Sequence, residues 1–334
     1  MPPVYIVEQG AKLSIEKQRL IISKSDETIA KIPLAHTSAI VIFGNVSITT
    51  PAMKRLMQRG IDTVFLTRTG SYEGRLVGPL SKFGLLRQTQ YARLTEPATC
   101  LMLAQPIVAA KCHNMRVLLM RHQRRNSEAN LTDICDRLEA LKNRTQRTTT
   151  LNALRGVEGT ATSAYFQGLR HVINPTWLFE RRIRRPPTDP VNVLLSFGYT
   201  LLARAVEAAV LLVGLDPHIG ILHRVEYGRP SLALDLMEEF RSLLVDSVVL
   251  RCINTGSITL ADFTAGEEPS RPIILSDGAR RRFIEEIEAR METRIEHPTT
   301  HEQMTYRRAL EIQVRLLARC LRDGTTDYQP FRTR

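Results

Sequence analysis

Over roughly the first eighty residues, apolar positions fall in short β-branched runs of the kind that form strands. These are VYIV (Val4 to Val7), KLSIEKQRLIIS, SAIVIFG and VSITT, separated by Gly, Lys/Ser or Pro. Pro51 then opens a short helix, AMKRLMQRG, and Gly60 stands where that helix should stop. Proline is tolerated in a first helical turn and glycine ends one easily, so both positions agree with the pattern. DTVFLT and YEGRLVG read as two further strands around a turn at Thr69-Gly70-Ser71, and Gly78-Pro79 begins a linker.

From about Arg87 onward the period changes. Segments near 97–125, 127–143, 148–171, 190–214, 231–251, 276–293 and 299–323 repeat apolar residues three and four apart, the spacing of a helix with one buried face. Asp189, ahead of Pro190, and Ser276, ahead of IEEIEARMETR, are placed to cap two of these helices. The stretch Thr255 to Ser276 departs from the pattern: ITLADF, a Gly/Pro-rich loop and IILS suggest a small hairpin. The final DYQPFRTR has no period and is expected to be loose. Leu201 to Leu215 is the most apolar stretch, but Arg204 and Glu207 interrupt it, so it reads as a buried helix and not as a membrane span. The expected fold class is therefore α+β: a mostly β domain over 1–85, then a larger all-α domain over 86–334. Architecture of this kind does not name a function.

The length of 334 residues agrees with about two domains. Charge adds more: 46 Lys+Arg against 34 Asp+Glu leave a net +12, which favours a polyanionic partner, because each neutralised phosphate releases condensed counterions. A membrane-surface or ribosomal protein would show the same sign. Cys100, Cys112, Cys135, Cys252 and Cys320 are scattered with no CxxC pair, which argues against a thiolate zinc site or a disulfide framework and fits a reducing cytoplasm. MPPVYIVEQG has no basic segment followed by an apolar run and does not read as a signal peptide.

Three segments carry candidate chemistry. In HRVEYGRPSLALDLMEEFR (His223 to Arg241), Asp235 has Glu238 and Glu239 as same-side helical neighbours at i+3 and i+4, beside an apolar stripe of Leu232, Leu236, Phe240 and Leu243. Crowded carboxylates at the edge of a buried face are relieved by a cation; oxygen ligands suit Mg²⁺ or Mn²⁺, and an imidazole tilts the choice toward Mn²⁺. A solvated acidic face with Arg241 as a local partner remains the alternative. In NALRGVEGTATSAYFQGL, small residues around Glu158 let a ligand or another backbone come close, leaving Glu158 at a crevice; close helix packing is the other reading. In FERRIRRPPTDPVNVLLSFGYTLL, Arg181, Arg182, Arg184 and Arg185 form a cationic cluster suited to phosphate oxygens, or a solvated loop. Asn192 and Tyr199 lie one helix face apart behind it. Lys111, Arg116, Arg121, Arg124, Arg125, Arg137, Lys142, Arg144, Arg147 and Arg155 decorate consecutive helices and would extend the cluster into a basic stripe.

Taken together, LRGVEG with AYF, RRPPTDPVNVLLSFGY, and GILH leading through GRPSLALDLMEEFR resemble the CRISPR-associated endonuclease/integrase of the adaptation module, the Cas one family. The resemblance spans nearly the whole chain, including IVIFGNVSITT in the first domain. It implies a β-sandwich-like N-terminal domain used for homodimerisation and a helical domain holding a metal, Mg²⁺ or Mn²⁺. By motif the catalytic metal ligands would be Glu158, His223 and Glu238, where many relatives carry Asp in place of the last. Asp235, Asn192, Arg229 and Tyr165 would support them or position phosphates, and Arg181, Arg182, Arg184 and Arg185 would bind DNA. The resemblance further implies double-stranded and branched DNA as substrate and a heterohexameric assembly in which two dimers flank a Cas two family dimer. In that assembly prespacer 3′-hydroxyls attack CRISPR-repeat phosphodiesters. A related transposon integrase or repair nuclease, and a non-catalytic DNA-binding scaffold, are the rival expectations.

Overall fold

The computed structural model describes residues 3–25, 27–37, 39–68, 72–78, 83–125 and 130–333. The turn expected at Thr69-Gly70-Ser71 and Pro79 of the expected linker lie outside them. The chain divides into two compact units, Met1–Lys82 and Phe83–Arg334.

The first unit contains two four-stranded sheets. One runs in the order β1 (Val4–Ile6), β5 (Ala39–Phe43), β7 (Asp62–Leu66), β8 (Tyr72–Leu76), with the first three strands parallel and the last antiparallel. The other runs β4 (Glu27–Pro33), β3 (Arg19–Lys24), β2 (Lys12–Glu16), β6 (Ser47–Ile48). The apparent single run KLSIEKQRLIIS is a hairpin: Lys17 takes φ 56°, the left-handed value a tight turn needs, and Leu13 then pairs with Ile22 and Ile15 with Leu20. The helix α1 (Thr50–Arg59) starts where Thr49 accepts from the Ala52 amide and ends at Gly60 with φ 64°. Ile6, Leu13, Leu20, Ile40, Ile42 and Leu56, from both sheets and the helix, share one core.

The second unit is mainly helical: α2 (Gly84–Leu94), α3 (Pro97–Arg125), α4 (Thr132–Thr145), α5 (Leu151–Val172), α6 (Pro190–Val213), α7 (Ser231–Met237), α8 (Ser247–Thr255), α9 (Asp277–Met291) and α10 (Tyr306–Arg322). It is not all-α as expected. Two short antiparallel pairs interrupt it: β9 (Phe263–Ala265) with β10 (Ile273–Leu275), and β11 (Arg294–Glu296) with β12 (Gln303–Thr305). The second pair occupies the start of the helix expected from 299, which begins only at Tyr306, capped by Thr305. The helix α6 is long and apolar enough to cross a membrane by composition alone, but most of it is buried within the unit.

Two further expectations fail. The helix expected over 231–251 breaks after Met237, resumes as a π-helical turn (Arg241–Asp246), and becomes α-helical again at Ser247. The tail expected to be loose is docked: Tyr328 and Phe331 are each only 2% exposed, and the Phe331 amide donates to Glu239 Oε2 at 2.6 Å.

Candidate active site

Glu158 sits in the middle of α5 and Glu238 just past the end of α7, and both meet the same cation. Lys111, from α3, places its ammonium against Glu158 Oε1 and 2.7 Å from Glu238 Oε2. Lys111 and Glu238 are each 4% exposed, whereas the Glu158 side chain keeps 23% of its surface. Thr162, one turn along α5, adds a hydrogen bond to Glu158 Oε1 at 3.0 Å. Arg241 approaches Glu238 from the π-helical turn, its Nε 3.1 Å from Oε2. Burial alone would raise the Glu238 carboxyl, but Arg241, Lys111 and His223 outweigh it and bring it from 4.5 down to about 2. Burial likewise lowers the Lys111 ammonium, yet Glu238 and then Glu158 hold it above its ordinary value.

His223 is set by Asp235, which is fully buried on α7. Asp235 Oδ1 accepts from the His223 amide at 2.9 Å and lies 2.5 Å from His223 Nδ1; Oδ2 accepts from the amides of Ile221 at 2.5 Å and Leu222 at 3.0 Å. The loop thus wraps around a carboxylate. Gly220 permits this, since a Cβ there would stand 2.6 Å from Ser231 Cβ and 2.9 Å from Asp235 Oδ2. A carboxylate acceptor at Nδ1 assigns the proton to that nitrogen and leaves Nε2 as the coordinating face, the usual outer support of a metal-binding histidine.

Glu238 Oε2 is the telling atom. It is buried and has no aligned hydrogen-bond donor, although two cations flank it. Two carboxylates converging on one positive charge, with an oriented imidazole acting on one of them, form a donor set that fits Mn²⁺ or Mg²⁺.

Comparison with known proteins decides the family. Residues 4–289 match the profile of CRISPR associated protein Cas1. The chain belongs to the Cas1 family. It is 40% identical over 333 residues to CRISPR-associated endonuclease Cas1 3 of Thermus thermophilus, covering 99% of this chain and 97% of that protein. Among solved structures it is similar to a Cas6-RT-Cas1–Cas2 complex, with 28% identity and a TM-score of 0.84, over 98% of this chain but 35% of that longer one. A casposase bound to integration product shares the fold at 22% identity and a TM-score of 0.85, over 97% of this chain and 92% of the other. As a Cas1 endonuclease homologue, the chain is an enzyme of a nuclease/integrase family.

Within this Cas1 fold, several expected site residues have protein partners of their own. The three carboxylates of LDLMEEF do not crowd together. Because α7 ends at Met237, Asp235 faces the loop, Glu238 faces Lys111 and Arg241, and Glu239 turns away to the Tyr328 hydroxyl (2.6 Å), Gln313 Nε2 (2.8 Å) and the tail. Among the described residues, no three His, Cys, Asp or Glu side chains stand as a ready-made metal cluster. Tyr165 is buried, and its hydroxyl donates to Asp246 Oδ2 at 2.7 Å; Tyr199 donates to Oδ1 at 2.6 Å. Burial raises the Asp246 carboxyl to about 6 against those donors. Asn192, completely buried, anchors the arginine loop through Arg181 O, the Ile183 amide and Arg182. Arg182 is turned inward, to Asn192 Oδ1 at 2.8 Å and Ser196 Oγ at 2.9 Å, whereas Arg181, Arg184 and Arg185 are exposed. Arg229 pairs with Glu226 at 3.0 Å beside an exposed Tyr227.

The sequence names Arg241 as a local partner of the acidic helix, and it does pair with Glu238, whereas Lys111 as the bridge between the glutamates and Asp246 were missed. The charge pattern places Lys111 in a basic stripe with its direction open; its position inside the apolar run IVAAKCHNM is the signal that it is buried.

Proposed function

We propose that the chain is a metal-dependent strand-transfer enzyme that joins 3′-hydroxyls of a short DNA duplex to phosphodiesters of CRISPR repeats. The observation that carries this is the convergence of Glu158 and Glu238 on one cation beside an imidazole oriented by Asp235. A divalent ion, Mn²⁺ or Mg²⁺, held by Glu158, Glu238 and His223 Nε2, would neutralise charge developing on the phosphate and acidify the attacking hydroxyl. Asp235 holds the imidazole by Nδ1 and fixes its direction, and Arg241 keeps Glu238 ionised. The exposed Arg181, Arg184 and Arg185 bind the backbone of double-stranded or branched DNA. Since one phosphodiester replaces another, no nucleotide triphosphate is needed; with water as the nucleophile the same site nicks DNA.

The same reading gives the chain a second copy of itself as partner through a sandwich-like packing of the first unit's two sheets, and a Cas2 dimer in a heterohexamer. The Cas2-containing relative supports the latter. Five buried free cysteines agree with a reducing cytoplasm. The test is strand transfer of a labelled duplex into a repeat in Mn²⁺. Glu158→Ala, His223→Ala and Glu238→Ala should each lose it while keeping the wild-type circular dichroism. Integration by all three at the wild-type rate would discard the site. A preference for transposon ends over repeats would discard the CRISPR substrate.

A further inference from the structure

Lys111 touches both glutamates with a single ammonium. A carboxylate oxygen coordinates a small divalent ion at about 2.1 Å, so an ion shared by Glu158 and Glu238 and the ammonium now between them compete for one position. Two cations a few ångströms apart also repel strongly in a poorly hydrated site.

We propose that Lys111 is a resident counter-cation, which the divalent ion must displace, and that its displacement couples metal binding to DNA binding. The inference rests on the metal reading above. The direction of the displacement follows from the surroundings. On the Glu238 side, the Arg241 guanidinium closes the way with a like charge. On the Glu158 side, the carboxylate is partly exposed, and the flanking Gly156 and Gly159 are exposed with open space where a Cβ would stand. The ammonium therefore swings out over α5, onto the face from which a DNA phosphate approaches. There a phosphate oxygen takes the place of the carboxylates as its partner. DNA then makes metal entry easier, and by reciprocity the metal strengthens DNA binding by the same factor.

The full-length protein tests this in two ways. In Lys111→Met, which keeps an unbranched side chain one atom shorter and removes the charge, calorimetric titration with MnCl₂ alone should show affinity about tenfold above wild type. A short DNA duplex should raise Mn²⁺ affinity in wild type and leave it nearly unchanged in the variant. Independently of how that variant folds, acetic anhydride labelling of the wild-type protein, read by peptide mass spectrometry, should find Lys111 protected without metal. Saturating Mn²⁺ should expose it, and added duplex should protect it again. Equal or weaker Mn²⁺ affinity in Lys111→Met than in wild type, or labelling of Lys111 unmoved by saturating Mn²⁺, overturns the proposal. Absence of Mn²⁺ binding in both proteins overturns the metal reading, and this inference with it.

Discussion

Asp235 uses both oxygens fully: Oδ1 on the His223 ring and amide, Oδ2 on the amides of Ile221 and Leu222. An asparagine of the same shape must turn an NH₂ group either toward two backbone donors, which cannot accept it, or toward the imidazole, which accepts it at Nδ1 only as the tautomer with its proton on Nε2, the nitrogen meant to coordinate. Asp235→Asn should therefore leave His223 misdirected, with strand transfer reduced about 10- to 100-fold and a parallel loss of Mn²⁺ affinity by calorimetry. Unchanged values would mean that the loop, and not the carboxylate, holds the ring. Glu239 is the contrasting neighbour. Burial raises its carboxyl from 4.5 to about 7, while Tyr328, the Phe331 amide and Gln313 act against that rise. With the folded value above the unfolded one, the folded protein keeps a proton that the unfolded chain has released. Its stabilising contribution is thus present below about pH 4.5 and is lost as pH rises to about 7. Thermal melts from pH 4 to 8 should show the stability difference between wild type and Glu239→Gln falling across that window. A flat difference would show that the three donors hold Glu239 ionised throughout.

At the scale of elements, the arginine loop and the first turn of α6 form one unit through Asn192. Its Oδ1 accepts from the Ile183 amide and Arg182, and its Nδ2 donates to Arg181 O and Asp189 Oδ2, so all its hydrogen-bonding capacity is used while it is completely buried. Asn192→Ala should lower stability by about 1–3 kcal/mol, the cost of leaving buried partners unsatisfied, and limited trypsin digestion should then cut first between Arg181 and Arg185. Cleavage elsewhere first would place the weak point in another element. The elements that sequence displayed best are those with a cap, such as α9, half-buried behind Ser276, and α6, mostly buried but marked at its start by Asp189 and Pro190. β4 was not visible, because its residues are mostly exposed and Ile29 is 52% so; an edge strand needs no apolar alternation. The break after Met237 was hidden for the opposite reason. Residues 231 to 250 are buried on nearly every side, so periodicity carries no phase there, and a π-turn adds one residue without changing composition. The proposed ligand trio comes only from the family motifs. Spacing alone joined Asp235, Glu238 and Glu239 on one face, whereas the structure gives each a different neighbour.

For the whole molecule, a net charge of +12 means little until it is known which cations are free to meet a polyanion. Lys111 is committed to Glu158 and Glu238, Arg241 to Glu238 and Tyr199, Arg182 to Asn192 and Ser196, and Arg155 to the Leu222 carbonyl. The three arginines hold the site together and release no counterions when DNA binds, whereas Lys111 meets a phosphate only once a metal displaces it. Arg181, Arg184 and Arg185 are exposed on the same loop that Arg182 anchors. Converting the three exposed arginines to Gln should weaken DNA binding at low salt and reduce the slope of log affinity against log salt by up to about 2.7, from roughly 0.9 per phosphate contact. The melting temperature should stay near wild type, because no packing is removed. Arg182→Gln should do the reverse: it removes a partly buried guanidinium stacked 5.5 Å over the Tyr199 ring, lowering the melting temperature while leaving the salt slope nearly intact. Filter-binding titrations from 50 to 300 mM salt, run beside thermal melts, separate the two classes. A slope that falls for Arg182→Gln and stays fixed for the triple variant would reverse the assignment and move the DNA path off the outer face of this loop.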